Sequence, residues 1–284
     1  MSYFQHRLLR CLLLGLLWFA PLGSWAEDTQ DELVFGIHPY LSAQELFDKF
    51  GPLAEYLTQK TAKTVRIHVA KSYQDHLEDF IAGKVDFAYM GPSLYVQLLE
   101  KHETQQPLAR LEIKGKPYFR GAIIVAGNSP IKNLVDLKGK HFAFGSPHST
   151  MSHLVPRYML IDAGVTAETL AAFKFIGNHE SVALSVLMGE FDAGGVKEEV
   201  AHKYEAKGLK VLQWTPEISE HVFAARSNLP QGDVEALRDA MLQLKDTKVL
   251  KAIKKTLSGL VSVSNEDYDN LRIILTTLKQ RNIP

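Results

Sequence analysis

Cysteine is almost missing from this chain: its 284 residues contain one, Cys11. That excludes a disulfide framework and any zinc centre built on thiolates. Net charge is missing too, because 32 basic residues are balanced by 32 acidic ones. The balance argues against nucleic acid or an anionic membrane surface as the main partner. No segment is of low complexity, rich in Gly and Ser, or a long run of like charge, so no flexible tether between domains is expected. His38, His148, His153 and His221 fall in neither an HExxH pattern nor beside a cysteine, so metal-ligand spacing is absent. A nucleophile elbow of the GxSxG kind is absent as well. A triad can be drawn from Ser149 and His179, but catalysis, including hydrolysis of phosphate esters, is the weaker reading. No cofactor is expected.

What is present begins with a leader. Arg7 and Arg10 precede the Leu-rich run Cys11–Phe19, and Ser24-Trp-Ala26 forms a small-x-small pattern before Glu27. The run is shorter than the ~20 apolar residues that span a bilayer, so it reads as a signal peptide cleaved after Ala26 and not as an anchor. Cys11 lacks the small-residue context of a lipoprotein site. The mature chain is then exported without cysteine, carries two more acidic than basic residues, and depends on its core for stability.

Strand and helix patterns alternate after the leader. Leu33–Ile37, Val65–Val69 and Val85–Met90 are apolar runs of strand length, each followed by helical spacing. Gly51-Pro52 marks a possible break in the first helix. Three such units in sequence predict a parallel sheet in an α/β fold. Leu108–Ile113 and Phe119–Val125 then follow each other without a helix, which suits a crossover or an antiparallel pairing. Alternation resumes with strands at His141–Phe144, Phe173–Ile176 and Phe191–Val196, then Leu209–Gln213 and Val222–Ala225. Two helices are expected within Val234–Ser258 and a last one over Tyr268–Lys279. The stretch Ile81–Ala88 echoes Leu187–Ala193, as in two similar lobes. The C-terminal helices are expected to pack back on the first lobe.

The chemistry gathers at strand ends, where open α/β sheets bind ligands. Phe142–Pro156 reads as a buried strand, a Gly-Ser-Pro turn, the hydroxyl pair Ser149-Thr150 and a helix start. Free N–H groups and the positive end of a helix dipole would there face an oxyanion. Ser149 and Thr150 are equally readable as an N-cap worth about 1 kcal/mol to the fold. Tyr40 and Tyr89 read either as ligand contacts or as packing aromatics. His179 and Glu180 read as site residues or as a turn pair facing solvent, and Lys197-Glu198-Glu199 closes the set.

These stretches together resemble the periplasmic phosphonate-, phosphate- and phosphite-binding proteins of ABC importers. The resemblance rests on Gly51–Leu57, Gly83–Pro92, Leu134–Gly139, Phe144–Thr150 with Val155-Pro156, and His179–Leu184. It implies a type II solute-binding fold, two α/β lobes joined by strand crossovers near residues 120 and 220, with a cleft between. The expected segments are 1–26 for the signal peptide, 27–120 for lobe one, 121–220 for lobe two and 221–284 for the return to lobe one. The family's anion binders fall at Ser149, Thr150 and His179 and at a lobe-one tyrosine, Tyr40. Glu199 falls where an acid holds the amino group of aminoalkyl phosphonates. Departures occur at Met151-Ser152, at Met90 beside Tyr89, and at His221, which stands where some members carry an acid. The resemblance implies a monomer that hands a small oxyanion to an ABC permease, or reports it to a membrane sensor protein. His179, if protonated, would add a charge-assisted hydrogen bond.

Overall fold

The structure is a computed structural model, and it describes residues 32–101 and 105–281. The expected signal peptide lies outside the described residues. The chain opens with β1 (Glu32–Ile37), α1 (Ala43–Thr61), β2 (Thr64–Val69), α2 (Tyr73–Ile81), β3 (Phe87–Met90), α3 (Pro92–Lys101) and β4 (Gln106–Ile113). A two-residue strand, β5 (Tyr118–Phe119), leads to β6 (Gly121–Ala126) and β7 (His141–Phe144). Then come α4 (Val155–Asp162), β8 (Ala172–Phe175), α5 (His179–Leu187), β9 (Ala193–Lys197), α6 (Glu198–Glu205) and β10 (Leu209–Trp214). The chain ends through β11 (Ile218–Ser219), β12 (Val222–Ala225), α7 (Gln231–Leu242), α8 (Thr247–Ile253), β13 (Leu257–Val261) and α9 (Asp269–Gln280).

The strands form a six-stranded sheet, β13-β4-β12-β3-β1-β2, and a five-stranded sheet, β10-β6-β9-β7-β8. Both are mixed, which corrects the expectation of a parallel sheet. β1 runs parallel to β2 and β3, and β7 to β8 and β9, as helical crossovers require. β12 re-enters from the other sheet without a helix and lies antiparallel to both β3 and β4. The candidates at 108–125 do not pair with each other: β4 stays in the first sheet and β6 enters the second. The two crossings are stitched together by the antiparallel pair β5–β11, with Phe119 opposite Ile218.

Three other expectations change. α1 runs unbroken through Pro52. The bond that this proline cannot make would go to the carbonyl of Asp48, an exposed residue, and the helix is held by buried Leu46, Phe50, Leu53 and Leu57. Leu257–Val261, absorbed by a helical reading, forms the edge strand β13 beside β4. α6 follows β9 with no intervening loop.

Phe35, Phe50, Phe87 and Phe223 centre the core between the first sheet, α1, α7 and α8. Ile124, Val182, Val186 and Val200 centre a smaller one under α5 and α6. The last helix does not return to the first sheet alone. Its buried Leu271, Ile274, Leu275 and Leu278 join a core that includes Val96 and Leu99 of α3 and Leu160 and Ile161 of α4. Each such side chain contributes ~1.5–3 kcal/mol by leaving water, so α9 ties the two layers together.

Candidate functional site

The loop after β7 is built by close packing. A Cβ at Gly145 would lie 2.5 Å from Ser152 Oγ and 2.8 Å from its Cβ, so only glycine fits. Ser152, buried, donates its hydroxyl to the Gly195 carbonyl on β9. Ser149 caps the following helix, its Oγ accepting the Ser152 N–H at 3.1 Å. The helix starts as a wide π turn over Thr150–Leu154 before α4 continues it. The N–H groups of Thr150 and Met151 make no hydrogen bond to the described residues. Two donors are therefore unspent at a helix start, as an anion site requires.

A relay behind this loop was not read from the sequence. Arg157, itself buried, donates through Nη1 to His153 Nε2 at 3.2 Å. A guanidinium cannot accept, so the proton of His153 is on Nδ1, which donates to the Pro147 carbonyl at 2.7 Å. Burial lowers the His153 pKa to about 4, consistent with a neutral ring. The relay fixes the turn that presents Ser149.

A wall from the first sheet faces the loop. The N–H of Ser93, in the first turn of α3, donates to Thr150 Oγ1 at 3.2 Å. Thr150 Oγ1 donates to Ser93 Oγ at 3.1 Å, and Ser93 Oγ donates to the His148 carbonyl at 2.7 Å. Tyr73 stacks on His148 with ring centres 6.0 Å apart. Two helix starts, one from each layer, thus meet at Ser93 and Thr150.

Tyr40 and Tyr89 are brought together in this wall, their ring centres 6.2 Å apart. The Tyr89 ring is 5.4 Å from that of His38 and 5.3 Å from that of His221, nearly parallel to both, and those two imidazoles are themselves 6.2 Å apart. It also packs on Phe50 and Phe223, so its ring is part of the core. Burial raises both phenol pKa values, and neither hydroxyl has a partner among the described residues. Both are neutral donors. Met90 points to the opposite face of β3, into the other core, because strand side chains alternate. Met151 is also buried away from the wall, against Gly121 and Thr215.

His179 begins α5, and its Nδ1 accepts the Lys197 N–H at 3.1 Å. The ring proton is therefore on Nε2. Burial, and then the charge of Lys197, lower its pKa to about 3. Without an anion beside it, burial favours the neutral ring. Glu199 is held by Lys197 at 2.6 Å and by Lys254, from the first sheet's layer, at 2.9 Å. Burial raises its pKa, but the two ammonium groups outweigh that and bring it to about 2.

The acid beside His221 is Glu220, which sequence reading missed. It is 3% exposed, and its Oε2 accepts both the backbone N–H and ring Nδ1 of His221 at 3.0 Å. Burial pushes its carboxyl up, but the bonds to His221 hold it below the ordinary range. Only its position one residue before His221 on the returning crossing could have pointed to it. Among the described residues, no group of three or more His, Cys, Asp or Glu side chains is arranged to hold a metal ion.

The sequence profile of the family described as ABC transporter, phosphonate, periplasmic substrate-binding protein matches residues 35–268. The phosphate-import protein PhnD of Mycolicibacterium smegmatis is 28% identical, covering 89% of this chain and 87% of that protein. The phosphonates-binding periplasmic protein of Escherichia coli is 26% identical, covering 82% of this chain and 72% of that protein. Among solved structures, PhnD1 from Prochlorococcus marinus in complex with methylphosphonate superimposes with a TM-score of 0.76 at 22% identity. That match covers 88% of this chain and 99% of that one, and supports a shared fold.

Proposed function

Since the chain belongs to the family of periplasmic substrate-binding proteins of phosphonate ABC transporters, we propose that it captures a small tetrahedral oxyanion of phosphonate, phosphate or phosphite type. The site lies between the two sheet layers, and the occupied protein is delivered to an ABC permease after export to the periplasm. The observation that carries this reading is the meeting of two helix starts at Ser93 and Thr150, with the N–H groups of Thr150 and Met151 unspent. Partial positive charge from both layers converges there.

Ser149 would turn its hydroxyl to the anion, Thr150 would do so by releasing its bond to Ser93 Oγ, and His179 would donate from Nε2 with its orientation fixed by Lys197. An anion beside His179 favours the protonated ring, so binding raises the pKa of this histidine. Tyr40 and Tyr89 would close the other side as neutral donors. The paired crossings β5–β11 are short and hydrogen-bonded to each other, which suits hinge closure of the two layers. Residues 32–101, 105–113 and 222–281 would form one lobe and 121–214 the other, with α9 packed across both.

Calorimetric titration with phosphate, phosphite and methylphosphonate tests the proposal. Saturable one-to-one binding of at least one is expected, together with a higher melting temperature, since a ligand at a hundredfold excess over Kd adds ~2.7 kcal/mol. Failure of all three, or release of phosphate from phosphomonoesters by the pure protein, refutes it.

A further inference from the structure

The charges around the proposed site restrict what can be attached to the anion. An aminoalkyl phosphonate needs a carboxylate free to receive its ammonium. Glu199 is already shared by Lys197 at 2.6 Å and Lys254 at 2.9 Å. Glu220 is buried and occupied by the backbone and ring of His221. Glu198, on the same helix start as Glu199, takes both Nε and Nη2 of Arg120. Each acid at these strand ends therefore already has a partner.

The surplus is positive. Lys49 of α1 is half-buried, and its ammonium donates to the Ile253 carbonyl at 3.0 Å, next to Lys254. It makes no ion pair with the described residues. Burial, with the charges of Lys197 and Lys254, holds its pKa below the ordinary lysine value against the opposing carboxylates of Glu199 and Glu45. Three ammonium groups, two from the first layer and one from the second, thus gather about the single carboxylate of Glu199. Lys197 also anchors His179 through its N–H, so the group lies at the edge of the anion site.

We infer that the ligand carries, besides its tetrahedral oxyanion head, a second anionic group such as a carboxylate, and that Lys49, Lys197 and Lys254 receive it. This rests on the oxyanion reading above. An ammonium at the same place would add a fourth cation to a cluster in which only Glu199 and the exposed Glu45 oppose three. A carboxylate relieves that repulsion, and in a partly dehydrated cleft the interaction is much less screened than at the surface.

The test is calorimetry at pH 7.5 and low salt with methylphosphonate, 2-aminoethylphosphonate and phosphonoacetate. Phosphonoacetate is expected to bind about tenfold or more tighter than 2-aminoethylphosphonate, a margin of one moderately screened charge pair. Equal or tighter binding of 2-aminoethylphosphonate overturns the inference while leaving the oxyanion site standing. No binding of any of the three, or of phosphate, refutes both readings. Lys49→Met should weaken phosphonoacetate about tenfold and methylphosphonate less than about threefold, with Lys49→Arg restoring the difference. Equal losses for both ligands would count against the assignment. Lys254→Gln, which removes one partner from Glu199, should improve 2-aminoethylphosphonate relative to phosphonoacetate, and an unchanged ratio would refute the role of this ion pair.

Discussion

Acid should destabilise this protein at a pH where its carboxylates are still ionised, because its buried histidines are held neutral. His76 is fully buried with both ring nitrogens unpartnered, and burial followed by the charge of His68 lowers its pKa to about 4. His153, 6% exposed, is likewise lowered to about 4. In the unfolded chain each returns to about 6.5. Below that value the unfolded state takes up protons that the native state refuses, so stability falls as the pH drops from about 6.5 to about 4 and is complete above that window. At pH 5 each of these two groups costs about 2 kcal/mol, about 4 together, against a total stability of ~5–15 kcal/mol. His38, buried and held well below its ordinary value by desolvation, acts in the same direction. Urea unfolding followed by far-ultraviolet circular dichroism at pH 7.5 and pH 5.0 measures the difference. His76→Leu should shrink the pH dependence by about 2 kcal/mol and cost little at pH 7.5, since it removes two unpaired buried polar atoms. A loss of less than about 1 kcal/mol between the two pH values, or a His76→Leu variant with the full pH dependence, would refute the reasoning.

Other substitutions test the loop after β7. Ser149→Ala with Thr150→Ala should weaken oxyanion binding by ~2–4 kcal/mol through lost hydrogen bonds to a charged ligand, and an unchanged calorimetric affinity would exclude these hydroxyls. Arg157→Met leaves the buried His153 Nε2 without its donor while Nδ1–H keeps its bond to the Pro147 carbonyl, so the turn is held less firmly and oxyanion affinity should fall about fivefold, with Arg157→Lys restoring much of it. The Nε2 signal of His153 in nuclear magnetic resonance should shift as its hydrogen bond is lost while Nδ1 stays protonated, and an unchanged Nε2 signal would exclude the relay. Gly145→Ala places a methyl 2.5 Å from Ser152 Oγ, so a destabilisation of ~1–3 kcal/mol is expected in urea unfolding, accompanied by weaker binding.

The sequence was most legible where local pattern and tertiary placement agree. Apolar runs of strand length gave every strand but β5, β11 and β13, and Ser42, Ser72 and Asn178 cap helices where short-range chemistry places them. Strand partners were not legible, since direction depends on which sheet a crossing strand joins, and that is settled by contacts far along the chain. β13 was hidden because Leu257-Ser-Gly-Leu-Val is too short to break the helical spacing on either side of it. α6 was hidden because it follows β9 without a loop. At the site, strand alternation decides between Tyr89 and Met90 as the residue on the wall. The relay through Arg157 could not be read, since an arginine on a helix ordinarily reaches water, and only the fold shows that this one is buried.

The gap widens for charge. Glu199 looks like a free acid in sequence, and a family resemblance gives it an ammonium to hold. Its state is set by Lys197 and by Lys254, which arrives from the far end of the chain and the opposite layer. The ion pair spans the two layers on the His179 side, while the Ser93–Thr150 bonds span them at the helix starts. Closure and ligand choice are then coupled: whatever displaces Lys254 from Glu199 also loosens one of the contacts that hold the layers together. An anionic substituent can join this cluster without breaking that pair, whereas an ammonium has to compete with Lys254 for the same carboxylate. The same two lysines that mask the acid would therefore favour closure around one class of ligand over the other.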